Sequence, residues 1–260
     1  AFFYDADLKV PLADFRADIA KLTFENRLGS MAKRADRIRD VAAALAGALD
    51  RAGTGLDESE AATLARAGEL AKFDLATDMV VELSSLAGVM AKEYARKAGE
   101  TPAVAEALFE LELPRHTGDA LPASTPGALL ALADRFDLLM AMFAVGAKPT
   151  GSSDPFALRR AALGAAMILR AHGELGALDV PAVTSAAAER LRAQGIEIPD
   201  DAEAAVVEFV TGRFAQLLRD EGVSAEAIAA VEPLLSRPDR AAALLEEIDA
   251  LTAAEGTARA

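Results

Sequence analysis

Positive charge gathers in one stretch of an otherwise acidic chain. Residues 146–164 read Gly-Ala-Lys-Pro-Thr-Gly-Ser-Ser-Asp-Pro-Phe-Ala-Leu-Arg-Arg-Ala-Ala-Leu-Gly, and Lys148, Arg159, Arg160 and the later Arg170 have only Asp154 as a nearby acid in sequence. Gly146, Pro149 and Gly151 break what precedes. Asp154 is a good helix cap and Pro155 suits the first helical position, where its missing N–H costs nothing. Cations beside a helix N-terminus, which itself attracts anions, make a surface suited to phosphate. The arginines have a second use: Arg159 and Arg160 are placed to pair internally with Asp154 or Asp137, as isolated arginines commonly do.

Acidic residues offer another chemistry. Asp74 with Asp78, and Asp134 with Asp137, share helical faces by spacing. Together they would make a metal or general-base site between two helices, or else a solvated face that partners nearby arginines. The only histidines, His116 and His172, lie far from metal-ligand spacing and read as surface or loop residues. No Ser/His/Asp grouping can be argued from order, and no phosphate-binding glycine fingerprint follows a strand. Signals for catalysis, and for a metal centre, are weak.

The composition fits helices that bury small side chains. Of 260 residues, 52% are hydrophobic and 5% aromatic, with no tryptophan. Alanine and leucine dominate, which favours close-packed helix over sheet. Length alone suggests about two domains. A net charge of −14 makes the surface as a whole repel nucleic acid and anionic lipid, so any such contact must use a local patch. The absence of cysteine excludes disulfides, thiolate metal sites and cysteine nucleophiles. There is neither a bilayer-length apolar run nor a signal-peptide layout, and the expected setting is cytoplasmic.

Periodicity then places the elements. Phe2-Phe3-Tyr4 reads as the one strand, the end of an upstream domain, since the chain opens without methionine. Leu12, Phe15, Ile19 and Leu22 step at helical spacing, and Gly29-Ser30 caps a helix carrying Ile38, Ala42, Leu45 and Leu49 on one face. Asp57 with Glu60 is a capping-box start for a helix to about Ala76, and an apolar stripe continues through Met79, Leu83 and Leu86. Thr101-Pro102 and Thr125-Pro126 start further helices; the second puts Leu132, Phe136 and Leu139 inward and Asp134 and Asp137 on the opposite side. Val180-Pro181 opens a helix to about Gln194, Pro199-Asp200-Asp201 is a boundary, and a helix through Val206, Val210 and Phe214 follows. Two shorter helices are expected from Ser224 and Asp239, before a frayed tail at 252–260. The fold class is all-α.

Several runs together resemble the β subunit of bacterial heterotetrameric glycyl-tRNA synthetase. They are Arg27-Leu28-Gly29-Ser30, Lys72-Phe73-Asp74-Leu75-Ala76-Thr77-Asp78, Leu113-Pro114-Arg115 with Gly118-Asp119, Ala131–Asp137, and Lys148–Gly151 with Asp154–Gly164. The resemblance implies the end of an upstream domain or linker at 1–11, an HD-like helical domain at 12–150 and a helical connector at 151–199. The start of a helical anticodon-binding domain follows at 200–260. It further implies partnership with the α subunit in an α2β2 tetramer and with tRNA(Gly), no membrane or DNA partner, and glycine activation with ATP and Mg by the α subunit. No cofactor is expected on this segment. Against the HD pattern, Asp74 matches the Asp of the His-Asp pair and Asp134 the later Asp, while Phe73 stands where the paired His belongs. The degenerate site predicts no metal, since two carboxylates without imidazole make a poor transition-metal site. Candidate RNA contacts are Lys148, Arg159, Arg160, Arg34 and Arg115. The alternatives are a surviving HD phosphohydrolase using Asp74 and Asp134, or a purely structural helical module.

Overall fold

The computed structural model describes residues 2–116 and 118–258. Among them are 13 α-helices and one two-stranded hairpin, so the fold is all-α. The chain opens with α1 (Phe2–Asp7) and α2 (Leu12–Asp18), then the hairpin of β1 (Thr23–Glu25) and β2 (Gly29–Ser30). Next come α3 (Met31–Arg51), α4 (Glu58–Glu69), α5 (Asp78–Glu82), α6 (Val89–Lys97), α7 (Pro102–Glu110) and α8 (Thr125–Ala144). The last part contains α9 (Leu158–Ala171), α10 (Val180–Ala193), α11 (Ala202–Asp220), α12 (Ala225–Val231) and α13 (Pro238–Ala258).

α8 is the axis. Its sequence is apolar on nearly every side, and such a helix is stable only when surrounded. Accordingly α3, α4, α7, α9, α10 and α11 all pack on it. Leu129, Leu132, Phe136, Leu139 and Met140 are fully buried, and one continuous apolar cluster runs from Leu12 to Leu245. Small residues permit the close approach. Gly127 leaves room for the Glu110 carboxylate, which in turn accepts the backbone N–H of Ala123 at 2.7 Å and the Ser124 hydroxyl. No described helix is long and apolar enough to cross a membrane.

Most helix starts follow local capping chemistry. Ser30 Oγ accepts the Lys33 N–H, Asp57 and Glu60 form the reciprocal capping box, and Thr101 caps α7 ahead of Pro102. The helix at Thr125-Pro126 is capped one residue earlier, by Ser124.

Tertiary contacts override the local pattern elsewhere. Phe2-Phe3-Tyr4 is helical, not a strand, because Tyr4 stacks on Tyr94 at 5.6 Å and donates to Glu93 at 2.8 Å. In the same helix the buried Asp7 accepts the N–H groups of Asp78 and Met79 and the Tyr94 hydroxyl, capping α5 from far away in sequence. The helix expected to run to Ala76 stops at Glu69. Lys72 takes a left-handed conformation (φ 63°), and two 3-10 turns flank the short α5. The helix expected at Pro155 begins at Leu158, and α13 is long, not short. The tail expected to fray lies partly outside the described residues, at 259 and 260.

Candidate nucleic-acid interface

The acids expected on the outer side of α8 are inside the protein. Asp137 is fully buried, and both its oxygens accept from Arg37, Nε at 2.5 Å and Nη2 at 3.0 Å. Arg34 Nε adds a third contact at 3.4 Å. One turn earlier on α8, Asp134 Oδ1 meets Arg34 Nη2 at 2.8 Å and the Lys72 ammonium at 3.1 Å, and Lys72 also reaches Glu112 at 2.7 Å. Arg37 Nη1 donates to the Gln194 amide at 2.9 Å, tying the end of α10 to the same cluster. Burial works against the charges of Arg34 and Lys72, yet the facing carboxylates outweigh it and hold both pKa values above their ordinary levels. Lys72 and Arg34, joined by Arg135, hold Asp134 below the usual carboxylate range despite its burial.

These bonds bear on the positions expected to match a degenerate HD site. Phe73 is fully buried core. Asp74 sits in a 3-10 turn with one carboxylate oxygen accepting the Gly88 N–H at 2.8 Å. Its pKa is pushed up to about 6, first by burial and then by the Glu112 charge, against the pull of Gly88 and Lys72. Asp78 starts α5 and is exposed, so Asp74 and Asp78 share no helical face. A divalent metal does not fit: the Asp134 carboxylate already holds an ammonium and a guanidinium, and phenyl replaces imidazole at residue 73.

Arg34, Lys72, Glu112 and Asp134 of this network wall a cavity of about 640 Å³, which Phe73 and Asp74 do not line. Arg115 and His116 line it from the loop after α7, and Phe156, Ala157 and Arg160 line it from the start of α9. Asp154 does cap α9, but from outside it: its two oxygens accept the N–H groups of Leu158 and Arg159 at 2.8 and 2.9 Å. Pro155 therefore lies in the preceding turn, and Ala157 is left-handed (φ 55°). Arg160 is exposed and has no ion-pair or hydrogen-bond partner among the described residues. Its neighbour Arg159 turns back, donating to the Gly151 carbonyl at 2.7 Å with Asp154 at 4.0 Å. The internal pairing with Asp137 does not form for either.

The other predicted residues divide. Arg115 is exposed and pairs with Asp119 at 3.2 Å. Lys148 is exposed, 3.7 Å from Asp201 and over the Phe143 ring at 5.4 Å. Arg34 is buried in the ion network, 8% exposed, and lines the cavity of about 640 Å³. Arg170 belongs to a pair with Glu221 at 2.8 Å, so Asp154 is not the only acid near the basic group. His116 lies in an exposed loop, but His172 is buried, with Nε2 2.8 Å from the Pro122 carbonyl and Nδ1 2.6 Å from Glu174.

Sequence reasoning missed three contributors. Arg213 of α11 joins Arg159 and Arg160 around a second hollow of about 380 Å³. It also lies with Lys148 around a third of about 330 Å³. The cations thus form a strip from Arg115 through Arg160, Arg159 and Arg213 to Lys148. Lys72 and Arg135 were the other omissions. Both stand directly beside motif carboxylates or within a motif run, but the surrounding apolar residues gave no sign that their charges were used.

Two outcomes follow. Replacing Asp137 by Ala leaves Arg34 and Arg37 short of their buried acid and should cost about 3–5 kcal/mol in urea unfolding. Asp74 has a folded pKa of about 6, above its unfolded value of 3.8. The folded state then binds the proton more tightly, so this group's stabilisation is full below 3.8 and is lost as pH rises to about 6. Asn at this position retains an acceptor for Gly88 without titrating. The stability of D74N relative to the unaltered chain should therefore climb across that window and then level; a flat difference contradicts the assignment.

The chain matches the family model described as "Glycyl-tRNA synthetase beta subunit" over residues 1–232. It is 47% identical over 182 residues to the glycine–tRNA ligase β subunit of Desulforudis audaxviator, covering 70% of this chain and 25% of that protein. It is 41% identical over 243 residues to the Haemophilus influenzae β subunit, covering 93% of this chain and 33% of that one. The Chromohalobacter salexigens β subunit is 40% identical over 233 residues, with 89% and 32% covered. The chain thus spans between a quarter and a third of these relatives' length. On that match, which takes in the ion network, the Asp154 cap and the cationic strip alike, the chain belongs to the glycyl-tRNA synthetase β-subunit family.

Proposed function

We propose that this chain is a tRNA-binding part of the β subunit of glycine–tRNA ligase. In this reading it supports ATP-dependent attachment of glycine to tRNA(Gly) and forms no bond itself. Glycine activation with ATP and Mg belongs to the α subunit, partnered in an α2β2 assembly in the cytoplasm. Residues 12–150 serve as an HD-like platform, 151–199 as a connector and 200–260 as the start of an anticodon-binding domain.

The observation that carries this reading is Arg160, exposed and without a partner among the described residues, at the capped start of α9 in the middle of a cationic strip on a chain of net charge −14. An unpaired guanidinium gives phosphate a bidentate donor without first having to leave a carboxylate. Arg115, Arg159, Arg213 and Lys148 extend the strip across α9 and α11, while Arg34 acts from beneath by fixing α3 to α8. Contacts of this kind read backbone phosphates and A-form shape rather than base sequence. Acids at Asp220, Glu208 and Asp201 border the strip and confine the attractive surface to a narrow track.

Titrating tRNA(Gly) against the chain at several salt concentrations tests the reading. Affinity should fall steeply with salt, and Arg160→Ala and Arg213→Ala should each weaken binding and reduce the log–log slope by about one. Affinity and slope unchanged in both variants would rule out the strip as the contact surface.

A further inference from the structure

The cavity of about 640 Å³ behind the strip has walls that the phosphate-track reading does not use. Its volume lies in the range of small-molecule sites, roughly 300–1,000 Å³. Five arginine and lysine side chains line it against two carboxylates, the reverse of the chain's overall balance. Arg34 and Lys72 are neutralised by those carboxylates, and Arg115 by Asp119. Two positive groups, Arg135 and Arg160, make no direct ion pair among the described residues.

Arg160 stands at the lip without a partner among the described residues. Arg135 forms the floor and is 6% exposed. Among the described residues its guanidinium donates only to backbone carbonyls, at Leu111, Ala131, Glu112 and Pro114, and no carboxylate bonds to it. Gly164 keeps the opposite side clear, since a Cβ there would stand 2.8 Å from Arg135 Nε. The Arg135 charge acts through space on Asp134 and Glu112, but no ion pair takes it up, so it adds to the positive field a ligand in the same cavity would meet.

Other walls suit the rest of a nucleotide. Phe156 is 37% exposed and lines the cavity beside Arg160. Ser84 and Ser85 line it with hydroxyls that have no hydrogen-bond partner among the described residues. Among the described residues, the two non-glycine residues with left-handed backbone, Lys72 and Ala157, both line this one cavity. Such strain is retained where the surrounding structure must hold a particular shape.

We propose that this cavity binds a single phosphorylated nucleoside, with its base on the Phe156 ring, its phosphate toward Arg160 and Arg135, and its ribose toward Ser84 and Ser85. The ligand is either a free mononucleotide or an unstacked nucleotide of an RNA. Occupancy by a free mononucleotide does not depend on the tRNA reading above.

Calorimetric titration of the whole chain with AMP, GMP and inorganic phosphate at fixed salt tests the proposal. Saturable binding of a mononucleotide is expected, tighter than phosphate. Arg160→Ala and Phe156→Ala should each weaken it about tenfold or more, as charge-assisted bonds and base–aromatic stacking do. Both side chains are solvent-accessible, and circular dichroism of each variant checks that it folds. Absence of saturable nucleotide binding overturns the proposal, as does phosphate binding as tightly as nucleotide with Phe156→Ala unaffected. A competition arm assigns the source: loss of tRNA affinity at saturating mononucleotide supports an RNA nucleotide as occupant, and unchanged affinity supports the free one. Arg213 lies outside the cavity and keeps the two readings separate. Loss of tRNA binding in Arg213→Ala, in a chain that binds no mononucleotide, removes the cavity site while leaving the tRNA contact standing.

Discussion

The grip of Arg37 and Arg34 on Asp137, deep between α3 and α8, sets the arrangement of everything around it. A fully buried carboxylate is tolerated only when it is paired and hydrogen-bonded, and Asp137 has three contacts from two guanidinium groups. Replacing such a cluster with hydrocarbon is often neutral or stabilising, so its value is better sought in specificity than in net free energy. An apolar α3–α8 contact would allow the helices to slide by a turn. A bidentate arginine on a carboxylate does not, because a shift of one residue would strand the charges. Gln194 extends the same constraint to α10, since its amide accepts from Arg37 and donates to the Lys33 carbonyl at 3.1 Å.

From that fixed point the cationic surface is assembled in steps. Asp134 lies one turn before Asp137 and draws Arg34 and Lys72 toward the cavity, and Lys72 reaches it through a left-handed backbone. Lys72 then holds Glu112, whose own backbone carbonyl accepts from Arg135 at 3.3 Å in the segment leading to Arg115. On the other wall, the Asp154 cap fixes the first turn of α9 and with it the direction of Arg160. The positions that an HD centre would devote to metal are thus filled by an internal cation and aromatic core. What these side chains leave at this face is an excess of positive charge, Arg34, Lys72, Arg115, Arg135 and Arg160 against Glu112 and Asp134.

Legibility in the sequence depended on the range of the interaction. Ser30, the Asp57–Glu60 box and Thr101 act within four residues, and each was readable from residue type and spacing alone. Phe2-Phe3-Tyr4 was not, because β-favouring aromatics become helical through contacts with Tyr94 and Glu93. Asp154 was recognised as a cap, but its carboxylate reaches N–H groups four and five residues on, which moves the helix start past Pro155. Asp134 and Asp137 were placed outward because charge on an amphipathic helix normally faces solvent; α8 is enclosed on every side, so the rule has no outer face to act on. The basic island was visible as a run, whereas Arg213 comes from another helix and only folding brings it alongside.

Photocrosslinking of tRNA(Gly) to the chain, with the attached peptides located by mass spectrometry, addresses the central claim most directly. The account predicts adducts in the segments around Arg115 and His116, between Lys148 and Arg160, and around Arg213. Adducts confined to the α1, α5 and α6 face, with those three segments unmarked, would contradict it.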